Sequence, residues 1–258
     1  MLPHDLAGSG PRVVLAHGFG QDRHCWGPMV SHLSERYEVM AVDLPGHGEA
    51  PRLRASLPAA ARLLADTGGR GAYVGYSMGA RHALRVAIDR PDDVDRLVLI
   101  SGTPGIADHH EAKERAERDE LLAARIESDG VASFVDEWLD QPMFLGLPPE
   151  HRFEEIRRAA DAVGLATSLR LAGTGAMPSM WDRLRRFPRP VLAVVGEHDA
   201  RYVGIADRMS EVLPSAEVMI VPDAGHAPHL EQPDAVLAAV SVFLAPLLGR
   251  ATPSSWTR

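Results

Sequence analysis

Gly71-Ala72-Tyr73-Val74-Gly75-Tyr76-Ser77-Met78-Gly79-Ala80-Arg81-His82-Ala83-Leu84-Arg85-Val86-Ala87 is the stretch that decides the fold of this chain. Its first residues form an apolar run that reads as a strand, and the run from Ala80 onward reads as a helix. Between them Gly75-x-Ser77-x-Gly79 makes the sharp strand-to-helix turn known as a nucleophile elbow. The turn holds a serine in a strained conformation with its hydroxyl exposed. The flanking glycines leave room that a Cβ would fill. The helix N-terminus favours negative charge developing beside it.

Working outward, further apolar runs end in glycine or polar residues. Arg12 to Ala16 leads to His17-Gly18-Phe19-Gly20, and Tyr37 to Val42 leads to Asp43-Leu44-Pro45-Gly46-His47-Gly48. Arg96 to Ile100 ends at Ser101-Gly102, and Pro190 to Val195 ends at Gly196-Glu197-His198-Asp199. Ala216 to Val221 ends at Pro222-Asp223-Ala224-Gly225-His226. Nearly continuous, β-branched runs fit strands buried on both faces of a parallel sheet. Helical stretches between them serve as crossovers. Chemistry in such sheets sits beyond the C-terminal strand ends. The expected fold class is therefore α/β, with a mostly parallel central sheet flanked by helices.

The alternation stops between about Gly105 and Arg189. That stretch is rich in Glu, Arg and Ala and reads as several helices, with Glu111 to Arg125 charged almost all round and supported by i,i+4 ion pairs. Residues 1–104 and 190–258 are expected to form the core, and 105–189 a helical cap over the strand ends. Pro233 to Leu248 reads as a final amphipathic helix, and Ala251 to Arg258 as a frayed tail.

Composition narrows the function classes. The chain has 258 residues, 45% hydrophobic and 24% charged, which suits one globular α/β unit. A net charge of −8 gives no electrostatic case for nucleic acid or an anionic membrane surface, although local arginines can still bind a small anion. Cys25 is the only cysteine, so no intrachain disulfide or multi-cysteine metal site can form; it reads as a buried structural thiol. The N-terminus lacks signal-peptide character and no segment has the apolar length of a membrane span, so a cytoplasmic protein is expected. Neither a cofactor nor a metal is expected, since no histidine pair has helical ligand spacing with a matching acid. A monomer or small homo-oligomer is expected.

Ser77, Asp199 and His226 fall, in that order, at predicted strand ends. His226 can accept the serine proton near neutral pH, and Asp199 can orient the imidazole and stabilise its charged form. His229, Asp223 and His198 compete for these roles, but their contexts read as supporting. His17 and His47 sit in glycine loops and are expected to shape the site. The backbone N–H groups of Phe19 and Met78 are the candidate oxyanion hole.

These motifs together resemble the α/β-hydrolase superfamily over nearly the whole chain. Finer features resemble one subfamily, the 2-succinyl-6-hydroxy-2,4-cyclohexadiene-1-carboxylate synthases of menaquinone biosynthesis. They are Gly75-Tyr76-Ser77-Met78-Gly79-Ala80-Arg81, Glu114-Arg115-Ala116-Glu117-Arg118-Asp119, Phe134 to Phe144 and Leu171 to Trp181. The resemblance implies a 2,5-elimination that releases pyruvate from a polycarboxylate precursor, with the serine acting as a base and no cofactor. It nominates Arg81, one helical turn beyond Ser77, together with Arg118 and Arg158, as carboxylate-binding groups. Trp138 and Tyr76 are nominated as pocket residues. Ala80 replaces a common second glycine, and Ala200-Arg201-Tyr202 stands where a lysine and a phenylalanine are usual. Two rivals remain at this stage. One is a carboxylesterase or C–C bond hydrolase in which Ser77 is acylated. The other is a non-catalytic binding module, against which the intact Ser, Asp and His argue.

Overall fold

A computed structural model describes residues 1–249. Seven strands run β1 (His4–Ala7), β2 (Arg12–Ala16), β3 (Glu38–Val42), β4 (Gly71–Tyr76), β5 (Val94–Ile100), β6 (Val191–Gly196) and β7 (Ala216–Val221). The helices are α1 (Met29–Ser34), α2 (Leu57–Gly68), α3 (Met78–Asp89), α4 (His109–Asp129), α5 (Val131–Leu139), α6 (Glu154–Arg158), α7 (Ala162–Ala172), α8 (Ala200–Val212), α9 (Pro228–Glu231) and α10 (Pro233–Leu244). The strands form one sheet in the order β1-β3-β2-β4-β5-β6-β7. Only β1 is antiparallel to its neighbour.

Each apolar run read from the sequence became a strand. Alternate side chains feed opposite faces of the sheet. Val13, Leu15, Val74, Val98 and Val194 join one core with α1 and α10. Val14, Ala16, Tyr73, Leu97 and Val195 join the other with α2, α3 and α8. Burial on both faces is why these strands lack polar alternation.

Strand β1 was not anticipated. His4-Asp5-Leu6-Ala7 has no apolar run and is half-exposed, because it only borders the sheet along β3. The neighbouring Leu2 is buried, and its N–H donates to Thr67 Oγ1 at 2.8 Å. The last helix ends at Leu244 rather than Leu248. Pro246 follows in a short 3₁₀ turn (Ala245–Leu247), where it lacks the N–H that a continuing α-helix would need. The predicted tail, Ala251 to Arg258, lies outside the described residues.

Helices α4 to α7 form the insertion between β5 and β6. Its two ends are fastened together: the Met180 N–H donates to Pro104 O at 2.8 Å, and Trp181 Nε1–H donates to Gly105 O at 2.9 Å. Asp108 caps α4 through the Glu111 N–H and Asp161 caps α7 through the Gly164 N–H. Arg170 of α7 spans to both Glu120 and Glu127 of α4, fixing the two long helices side by side.

Candidate active site

Ser77 sits between β4 and α3 with φ +50°, a conformation an L-residue adopts only under constraint. Its N–H donates to Ile100 O of β5 at 2.8 Å, which locks the turn to the sheet. The glycines allow the approach. A Cβ on Gly75 would lie 2.4 Å from Gly79 O, and one on Gly79 would lie 1.8 Å from Ala16 O. The unusual Ala80 fits because Gly102 faces it; a Cβ there would stand 2.8 Å from the Ala80 methyl. Gly79→Ala is therefore expected to destabilise the protein by about 3 kcal/mol, since backbone must move to admit the methyl. A guanidinium unfolding midpoint shows this, and an unchanged midpoint would contradict it.

The structure brings the three candidate groups together. The Ser77 hydroxyl lies 2.9 Å from His226 Nε2, and Asp199 Oδ2 lies 2.6 Å from His226 Nδ1. A carboxylate can only accept, so Nδ1 carries the proton and Nε2 is left free to take one from Ser77. His226 is buried against the ring of Tyr202, with centroids 4.7 Å apart, and against Phe144. Asp199 is the N-terminal flanking residue of α8, and its N–H donates to Gly196 O at 3.0 Å. This relay can move a proton from Ser77 and stabilise the resulting imidazolium.

Met78 opens α3, where an N–H has no intrahelical acceptor. The loop bearing Phe19 is held from behind. Gln21 Oε1 accepts from the Gly18 N–H at 3.0 Å, and His17 Nε2 accepts from the Leu44 N–H at 3.0 Å. His17, His47, His82 and His229 are all buried. Burial pushes His17 down to about 4 and the other three to about 3, so all four are neutral. Burial likewise pushes the Cys25 thiol up to about 12, in keeping with the inert structural role read from the sequence.

A cavity of ≈ 750 Å³ opens above Ser77, lined by residues of the insertion and the strand ends. Phe19, Met78, Arg81, Arg118 and Trp138 line it, as do Asp199 and His226. Arg81 is the most telling of these. It is only 8% exposed, donates to Ala172 O and reaches Met177 Sδ at 3.7 Å. No carboxylate pairs with it among the described residues, and burial lowers its pKa to about 10. Arg118 sits exposed at the mouth, 4.0 Å from Glu114. Trp138 packs edge-on to Phe19 at 5.7 Å.

Two nominated substrate-binding residues, one read as a pocket residue and one as a carboxylate-binding group, do not line the cavity. Tyr76 is buried beneath the site between His226 and His229, at 5.7 and 4.5 Å, because the residue preceding Ser77 points to the opposite side of β4. Arg158 faces outward on α6 and pairs with Asp136 and Glu154. Its neighbour Arg157 is the one turned inward, donating to Arg152 O at 2.8 Å and Phe19 O at 3.3 Å.

The cavity also contains Arg115, Arg125, Arg201 and Tyr202, which the sequence reading did not nominate. Arg115, Arg118, Asp119, Leu122, Arg125, Ile126 and Asp129 all line it from α4. That is a three-and-four spacing, so the helix presents one face to the cavity rather than being uniformly solvated. Arg115 is tied to Asp119 at 2.7 Å. His198 and Asp223 lie outside the cavity, exposed, with Glu197; their ligand-type atoms fall within 4.8 Å of one another.

Residues 13–239 match the alpha/beta hydrolase family. The chain belongs to this family. Among its alpha/beta hydrolase relatives is a provisionally named 2-succinyl-6-hydroxy-2,4-cyclohexadiene-1-carboxylate synthase of Bacillus subtilis (strain 168), 35% identical over 258 residues and covering 93% of each chain. The 2-succinyl-6-hydroxy-2,4-cyclohexadiene-1-carboxylate synthase of Enterobacter sp. (strain 638) is 31% identical over 244 residues, covering 91% of this chain and 92% of that one. The solved structure of MenH from S. aureus aligns with a TM-score of 0.89 at 30% identity, covering 96% of this chain and 99% of that one. Among the described residues no helix is long and apolar enough to cross a membrane.

Proposed function

We propose that this chain is a carbon–oxygen lyase that eliminates pyruvate from a polycarboxylate cyclohexene precursor, giving 2-succinyl-6-hydroxy-2,4-cyclohexadiene-1-carboxylate. The observation that carries the reading is Arg81, a buried guanidinium with no carboxylate partner among the described residues, lining the same cavity as Ser77 and His226. A buried cation is costly unless something anionic meets it. The kinship with synthases of that name supplies the identity of the anion.

In this reading Ser77 takes a proton from the carbon beside a carbonyl as its own hydroxyl proton passes to His226 Nε2. Asp199 stabilises the imidazolium. The electron pair left on carbon forms a new double bond, the C–O bond breaks, and the enolpyruvyl group leaves and is protonated to pyruvate. The Phe19 and Met78 N–H groups receive the charge that develops on the carbonyl oxygen. Arg81 holds a carboxylate close to the reacting carbon, and Arg115 and Arg118 extend the positive wall. Trp138 covers the ring. Residues 105–189 act as the cap that sets substrate choice. No cofactor takes part in this proton transfer. The same reading places the enzyme in the cytoplasm as a monomer or small homo-oligomer acting on a small anion, without nucleic acid.

The test is pyruvate release from freshly generated precursor. Wild type is expected to release it rapidly, and Arg81→Ala to raise KM about thirty-fold through loss of a charge-assisted contact. No pyruvate release, with hydrolysis of a p-nitrophenyl ester instead, would make the chain a serine-dependent carboxylesterase or C–C bond hydrolase of the same fold.

A further inference from the structure

Glu231 of α9 has a buried carboxylate and no cationic partner among the described residues. Burying such a group is unfavourable unless strong hydrogen bonds replace water. Its two oxygens point at the chain on either side of the candidate base. Oε2 accepts from the Gly225 N–H at 2.7 Å, and Oε1 accepts from the Ala227 N–H at 2.9 Å. The N–H of His226 itself donates to Met143 O, in the insertion, at 3.1 Å. Three consecutive N–H groups are thus all committed, two to one carboxylate and one to the insertion. The packing leaves little slack: a Cβ on Gly146 would lie 2.4 Å from Glu231 Oε2, and one on Gly225 would lie 2.8 Å from Met143 O.

We infer that Glu231 is a positioning residue for His226, clamping the backbone on both sides of the imidazole so that Nε2 stays within reach of Ser77. The inference rests on His226 being the base that activates Ser77, but not on the identity of the substrate. A base transfers protons efficiently only within about 2.6–3.2 Å of its partner. A loop free to shift by a fraction of an ångström would spend much of its time outside that window. Only a group with two acceptor oxygens can serve both N–H groups at once. Glutamine, with the same shape, offers one acceptor and turns a donor toward the other N–H.

The experiment uses a fluorophosphonate, which reports on Ser77 without any pathway substrate. Ser77 Oγ bonds to phosphorus, fluoride leaves, and the serine proton goes to His226. Glu231→Gln is expected to lower the inactivation rate kinact about ten-fold with KI unchanged, and Glu231→Asp, too short to span both N–H groups, to do the same. Pyruvate-release kcat should fall in parallel. A merely structural role would lower the unfolding midpoint and leave kinact in the folded fraction unaltered. An unchanged kinact in folded Glu231→Gln overturns the inference. A lowered kinact in an enzyme that releases no pyruvate upholds it while removing the proposed substrate. A wild-type protein that the probe does not label overturns both the base assignment and the clamp.

Discussion

Ser77→Ala is expected to reduce the kcat of pyruvate release by about 10⁴-fold, with KM within a factor of a few of wild type. In the proposed mechanism the serine oxygen meets the substrate proton, and it is held 2.9 Å from His226 Nε2 by a backbone kept at φ +50°. Alanine keeps the Cβ and the fold of the elbow but removes that oxygen. In that mechanism His226 reaches the substrate only through the serine hydroxyl and does not take its place. Substrate affinity is there set mainly by Arg81 and the arginine face of α4, which line the cavity and which the change does not touch. The split between kcat and KM is therefore the diagnostic. Groups that act as one relay also fail together, so Ser77→Ala/His226→Ala should be little worse than the slower single variant. Single-turnover pyruvate release measures both points. A Ser77→Ala enzyme retaining a tenth of wild-type kcat would remove serine from the mechanism and leave His226 as the direct base.

The strands and the elbow were legible because their signals are local. A strand buried on both faces needs a continuous apolar run, and an elbow needs glycines wherever backbone approaches backbone, as Gly79 does to Ala16. Asp199 and His226 were findable because a parallel sheet delivers all its strand ends to one edge. What the sequence hid depends on packing. In α6 two adjacent arginines look alike, and only the contact with the Phe19 loop turns Arg157 in and leaves Arg158 out. The cavity face of α4 was hidden, because charges on nearly every side make the helix read as solvated and only the packing singles out its inward stripe. Tyr76 shares the elbow motif with Ser77, yet strand alternation sends it the other way. Glu231 has no local signature, since the positioning role inferred for it comes from where α9 folds back on the histidine loop.

Acid is expected to unfold this protein near pH 5, above the range where carboxylate protonation alone acts. Four buried histidines drive this: His17, held at about 4, and His47, His82 and His229, each held at about 3. In every one the largest cause is burial, which penalises the charged imidazolium; His17 also opposes a charge on His47, 5.2 Å away. In the unfolded chain each titrates near 6.5. Above that value both states are neutral and the four contribute nothing to the pH dependence. As pH falls below 6.5 the unfolded chain binds protons that the folded protein refuses, so stability falls until the folded values near 3 to 4 are reached. Each histidine should cost about 2 kcal/mol between pH 7 and pH 5, or about 8 kcal/mol for all four. That is comparable with the whole stability of a typical domain, about 5–15 kcal/mol. Guanidinium melts at fixed pH values from 7.5 to 4.5 should show three to four protons taken up on unfolding near pH 5. His82→Gln should remove one of them, because an amide can still donate to Met78 O as His82 Nδ1 does at 2.8 Å but cannot titrate. Stability that stays level from pH 7 to pH 5 would mean these rings are hydrated and charged in the folded protein.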